Sequence, residues 1–210
     1  MTTHGVRAYH VIFTAYGFWL PNDPRGSWSE FVRSWELFRA AGPATKVHTR
    51  RSVAGRSHDV AARLRAKEAL KYPPVTFTGH QALRIAQGFG RMVAKAQYRV
   101  FACSILPEHV HLVIGRYRYV VETVVRLLKA EASSALAADG LHPLAAWPQP
   151  DGSLPSPWAR NCWKVFLNSD EDIARAIRYV ENNPVKEGKR PQRWPFVMPY
   201  VPDVESPPSV

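Results

Sequence analysis

The sequence predicts an α+β fold: a small antiparallel sheet with helices segregated on one face, and a large insertion after the first strand. Three observations carry that expectation. Four short runs are rich in β-branched or aromatic residues and read as strands: residues 8–14 (AYHVIFT, with no helix breaker), 98–106, 109–115 and 163–167. Three longer stretches carry helical spacing or end signals, at 78–97, 120–138 and from Ser169 to just before Pro184. Their order is strand, insertion, helix, strand, strand, helix, strand, helix, which best fits a sandwich of ferredoxin-like type.

The first strand ends in GFWLPNDPRGSW, residues 17–28, where Gly, Pro, Asn and Asp mark turns. Trp19 and Trp28 there argue for an ordered loop, with packing preferred over base stacking as their role. Residues 58–71 are rich in Ala, Leu, Arg and Lys and read as a helix stopped by Tyr72-Pro73-Pro74, so the insertion spans 17–77. Thr78 caps the next helix, whose apolar positions Leu83, Ala86, Phe89, Met92 and Val93 recur at spacings of three and four. Only Pro107-Glu108 separates the second strand from the third, which reads as a hairpin. The helix at 120–138 ends at Asp139-Gly140, and 141–156 is dense in Pro and Gly and reads as a surface loop. Ser169 with Asp172 three residues on starts the last helix in a capping-box arrangement, and Pro184 is expected just beyond its end. The proline-rich stretch 191–210 is expected to wrap the surface or fray.

At 210 residues the chain suits one domain with a proper core, read as a single unit over 1–210. Hydrophobic residues at 46% and charged residues at 21% exclude a wholly disordered chain. No apolar run approaches a membrane span and the start lacks the apolar stretch of a signal peptide, so a cytoplasmic protein is expected. Cys103 and Cys162 alone build neither a disulfide framework nor a four-cysteine zinc site. Lys and Arg outnumber Asp and Glu by 28 to 17, a formal +11. That balance points to a polyanionic partner, nucleic acid before an anionic membrane or a ribosome.

Candidate chemistry lies on the third strand and the last helix. Side chains alternate along a strand, so His109 and His111 share one face while Val110, Leu112 and Ile114 take the other. Same-face neighbours lie roughly 6 to 7 Å apart, close enough for two imidazoles to converge on one ion. In the last helix Ile173, Ile177 and Val180 form the apolar stripe, and Tyr179 and Asn183 share a flank one turn apart. A structural alternative has Tyr179 packing by its ring edge and Asn183 ending the helix. In the functional reading a divalent cation held by both histidines and the Asn183 carbonyl polarises a scissile phosphate, which Tyr179 attacks. His10, on the first strand, reads as structural. Arg118, Arg126, Lys129, Lys164, Arg178 and Lys186 are candidate phosphate contacts.

These residues resemble a known group. LPEHVHLVI, residues 106–114, is similar to the two-histidine segment of the HUH single-tyrosine transposases, and YVENNPVKEG, residues 179–188, to the segment carrying their tyrosine and, four residues on, an amide ligand. WLPNDPRGSW and RNCWKVFL also agree, within the branch of REP-associated tyrosine transposases. The resemblance implies a ferredoxin-like fold, His109, His111 and Asn183 as ligands of Mg²⁺ or Mn²⁺, and Tyr179 as nucleophile. It implies cleavage and rejoining of single-stranded DNA, at hairpin-associated sites, through a 5′-phosphotyrosine link, by a monomer or homodimer that is mobile or domesticated. Asn183 stands where many relatives have Gln, and residues 30–71 have no counterpart. Two other readings use the same scaffold: a nucleic-acid-binding protein without catalysis, and a phosphodiesterase acting on small nucleotides with water as nucleophile.

Overall fold

The computed structural model describes residues 5–49 and 53–202. Residues 1–4, 50–52 and 203–210, the last of these the end of the proline-rich stretch, lie outside the described residues. Strands β1 (Ala8–Thr14), β2 (Val100–Ile105), β3 (His109–Gly115) and β4 (Trp163–Leu167) form one sheet in the order β2-β3-β1-β4, every neighbour antiparallel. With a helix between β1 and β2 and another between β3 and β4, this is the ferredoxin-like arrangement the element order predicts.

The insertion after β1 builds two helices, α1 (Trp35–Ala41) and α2 (Val60–Glu68), of which only the second was expected. Helix α1 starts because the Ser34 hydroxyl accepts from the Leu37 N–H. Leu37 joins Leu20 and Ala66 in a small core of the insertion's own. Beside it, Arg25 donates two hydrogen bonds to the Asp23 carboxylate while its guanidinium lies 3.8 Å over the Trp19 ring. That buried clip fixes the turn-rich segment as ordered backbone.

Helix α3 (Gly79–Ala96) carries the full capping box, Thr78 bonded to the Gln81 N–H and the Gln81 side chain returned to the Thr78 N–H. It ends where Gln97 turns left-handed, which delays β2 to Val100 rather than the expected Tyr98. Helix α4 (Val121–Ala138) lies against α3 so closely that a side chain at Gly88 would meet the Ala132 backbone at 2.8 Å. Together they cover the sheet face formed by Val11, Phe13, Val110, Leu112 and Ile114, sealed by Phe89, Leu128 and Trp158.

Helix α5 (Asp170–Lys186) differs from expectation in two ways. It lies on the opposite face, where Ile173, Ala176 and Val180 meet Ala8, Ala102, Val113 and Leu167, so the helices are not confined to one side. The physical reason is written in β2, whose six residues are all buried and need cover on both faces. The helix also runs through Pro184 instead of stopping before it. Proline withholds its own N–H, but the Glu187 and Lys189 N–H groups bond to the Asn183 and Pro184 carbonyls and hold the last turn.

The described part of the tail wraps the free edge of β2. The Gln192 side chain bonds both the N–H and the carbonyl of Ile105, the Met198 N–H bonds to the Val100 carbonyl, and Phe196 meets Phe89. An otherwise open strand edge is thereby covered. No helix among the described residues is long and apolar enough to cross a membrane.

Candidate functional site

Register decides what meets on the α5 face. Thr14 lies opposite His109, Ile12 opposite His111 and His10 opposite Val113, so His10, His109 and His111 all point to the side that α5 covers. The imidazoles of His10 and His111 stack, with centroids 5.3 Å apart and His10 Nε2 3.0 Å from His111 Nδ1, one ring donating to the other. His109 stands edge-on to His111 at 5.0 Å and lies flat on Phe18 at 5.7 Å. Phe18 reaches it from a turn at Gly17, whose φ of 76° is open to glycine and strained for other residues.

Helix α5 brings Tyr179 over this cluster. Its ring lies 5.6 Å from both His10 and His111 while 44% of the residue stays exposed, so the phenol is at once seated on the imidazoles and open to solvent. Lys186 holds its ammonium 4.9 Å over the same ring. Asn183, one turn beyond Tyr179, is only 7% exposed and its Nδ2 has no hydrogen-bond partner. One further turn on, Glu187 sets a carboxylate oxygen 3.4 Å from His109 Nε2.

Burial governs the electrostatics. It pushes the His10 imidazole down to about 4 and holds His109 and His111 below the ordinary range, His111 further lowered by its two histidine neighbours. All three rings are therefore neutral at pH 7, and the Glu187 contact is polar rather than an ion pair.

Neutral imidazoles are the form that ligates metal. Among the described residues no three His, Cys, Asp or Glu side chains group as a metal site. The donor chemistry fits: His109 Nδ1 and Asn183 Nδ2 are buried without partners, and the ends of an amide exchange by a flip. Ser104 Oγ, opposite His111 on β2, is a further buried atom without a partner.

The structure thus gathers His109, His111 and Tyr179, with Asn183 one helical turn away. It scatters the basic candidates. Arg178 and Lys186 are exposed on α5. Lys129 and Lys164 sit across the sheet, Lys129 only 9% exposed with its ammonium donating to the Ala159 and Asn161 carbonyls, Lys164 paired with Glu122. Arg126 is exposed on α4, and Arg118 follows β3 at the end remote from His109, over Tyr117 and Tyr119. Sequence reasoning left His10 and Glu187 out of the cluster. Strand alternation carried the signal for His10, but only the β1–β3 register turns it into a shared face.

No protein-family model matches the sequence, and no curated protein matches it significantly. Among solved structures, the chain is similar to a REP-associated tyrosine transposase bound to a REP hairpin, at 12% identity and a TM-score of 0.44, over 87% of this chain and 68% of the other. It is also similar to a candidate transposase from Deinococcus radiodurans R1, at 13% identity and a TM-score of 0.40, over 87% of this chain and 94% of the other. Overlap at that level leaves the chemistry of the chain to be read from its own residues.

Proposed function

We propose that this chain cleaves and rejoins single-stranded DNA, with Tyr179 as the nucleophile and a hairpin-bearing strand as the substrate. The observation that carries the reading is the seating of a half-exposed phenol against the half-buried His10 and the buried His111 in a protein of net charge +11. A tyrosine placed to support the core would be buried; this one is 44% exposed beside a polar cluster.

In the proposed step the Tyr179 oxygen attacks phosphorus, a tyrosyl O–P bond forms to the 5′ side, and the P–O3′ bond breaks. The phenol proton is balanced by the proton gained on the departing 3′-hydroxyl, and a later 3′-hydroxyl reverses the exchange. His109, His111 and Asn183 would hold Mg²⁺ or Mn²⁺, which offsets charge developing on the phosphate. His10 orients His111: with the His111 Nδ1–H given to His10, its Nε2 lone pair stays available. Lys186 and Arg178, exposed on the same helix as the tyrosine, attract the phosphate backbone.

The test is a labelled single-stranded hairpin oligonucleotide incubated with protein and Mn²⁺. A denaturation-resistant protein–DNA adduct is expected from the unaltered chain, none from Tyr179→Phe, and none without the cation. Tight binding with no adduct under any condition would replace this reading with that of a binding protein.

A further inference from the structure

Beside the tyrosine the sheet carries a surface that neither the fold nor the proposed chemistry explains. Trp163 of β4 lies opposite Ile12, which on its other side lies opposite His111, so Trp163 and His111 share one sheet face, two strands and about 10 Å apart. Helix α5 packs mainly over β2 and β3 and meets β1 and β4 at Ala8 and Leu167, the far end of β4 from Trp163. Val165, opposite His10, is 40% exposed. From the insertion, Trp28 lays its indole on Trp163 with centroids 4.3 Å apart and planes within 25°, and its N–H is fixed to the Thr49 carbonyl. Both indoles remain half-buried rather than sealed.

We infer that Trp28 and Trp163 form a stacking shelf for a nucleobase flanking the phosphate at Tyr179, so that the insertion supplies part of the DNA site. The inference rests on the proposed cleavage reading for its substrate. A flat aromatic pair, held by a backbone hydrogen bond and open beside an exposed valine, binds π-faces without regard to base identity. The strong positive charge of the chain selects a polyanion among aromatic ligands. A shelf about 10 Å from His111 suits a base about one nucleotide away from the reacting phosphate, on a strand that crosses β1 towards β4.

Two measurements test this on the intact chain. Oligothymidine of 12 residues is compared with an abasic strand of equal length and charge, and 5-iodouracil strands are photocrosslinked to the protein and mapped. Base removal is expected to weaken binding about tenfold, within the range for a single stacked base, and the crosslink is expected at Trp28 or Trp163. Trp163→Ala should bind both strands with the weaker affinity, and Trp163→Phe should recover most of the difference. Equal affinity for the two strands, or crosslinks solely elsewhere, would overturn the shelf without bearing on the tyrosyl adduct. A shelf that binds bases in a protein forming no adduct would instead leave this inference standing and remove the cleavage reading.

Discussion

The two faces of strand β3 put alternate residues of one seven-residue segment to opposite uses. On the α3–α4 side Val110, Leu112 and Ile114 enter a dry core, and the one ammonium buried near it, on Lys129, is satisfied by two carbonyls. On the α5 side His109 and His111 are nearly as enclosed, yet His109 Nδ1, Ser104 Oγ and Asn183 Nδ2 have no partners. A buried polar atom without a hydrogen bond costs on the order of 1–3 kcal/mol. The α3–α4 core also leaves the Tyr98 hydroxyl and the Trp194 indole N–H without partners, so the difference lies in chemistry: the α5 side sets unpaired imidazole, hydroxyl and amide atoms near a half-exposed phenol, the groups a ligand would use.

The largest effect that separates the faces is on chemistry. Tyr179→Phe should lower adduct formation by about a thousandfold or more while melting within a few degrees of the parent, because Tyr179 is 44% exposed and outside the core. An equal loss from a substitution in the other face, in a protein that remains folded, would break the division. Next comes stability: Leu112→Ala should cost about 2–5 kcal/mol in denaturant unfolding, whereas His109→Leu, which removes an unsatisfied nitrogen, should be neutral or stabilising while abolishing metal binding in calorimetry.

Acid should act on the histidine face first. The folded-state pKa of His10 lies near 4, against an ordinary 6.5, and His109 and His111 are lowered by the same burial. Below pH 6.5 the unfolded chain takes up protons that the folded chain refuses, so stability present at neutral pH is lost as the pH falls from about 6.5 towards 4. Melting temperatures across that window should fall in the parent and fall less in His10→Phe; identical profiles would contradict the burial of a neutral His10. The smallest effect concerns the cations. Arg178→Ala and Lys186→Ala should each lower the salt dependence of DNA binding by about one unit of slope or less, while Lys129→Met should leave that slope alone and weaken the fold instead.

Local pattern made much of this legible in the sequence. β1, β3 and β4 agree residue for residue with the β-branched and aromatic runs, and α3 agrees because Thr78 caps its start and its apolar positions keep helical spacing. His109, His111, Tyr179 and Asn183 could be assigned to faces from periods of 2 and 3.6 alone. What escaped depends on distant pairing. His10 joins the cluster through a register with β3, a hundred residues away, and α5 takes the opposite face because β2 is buried on both sides. Glu187 reaches His109 only because backbone bonds carry the helix past Pro184, against the usual local rule. Helix α1 is short and held by its Ser34 cap and one buried leucine, too little signal to stand out from a turn-rich stretch.

The division of the sheet into a stabilising and a reacting face is tested most directly by locating the covalent bond. Protein incubated with hairpin-bearing single-stranded DNA and Mn²⁺ is digested, and the nucleotide-bearing peptide is identified by mass spectrometry. The account predicts a phosphotyrosyl link at Tyr179; a link at any other residue, or cleavage that proceeds with no protein-linked intermediate, would contradict it.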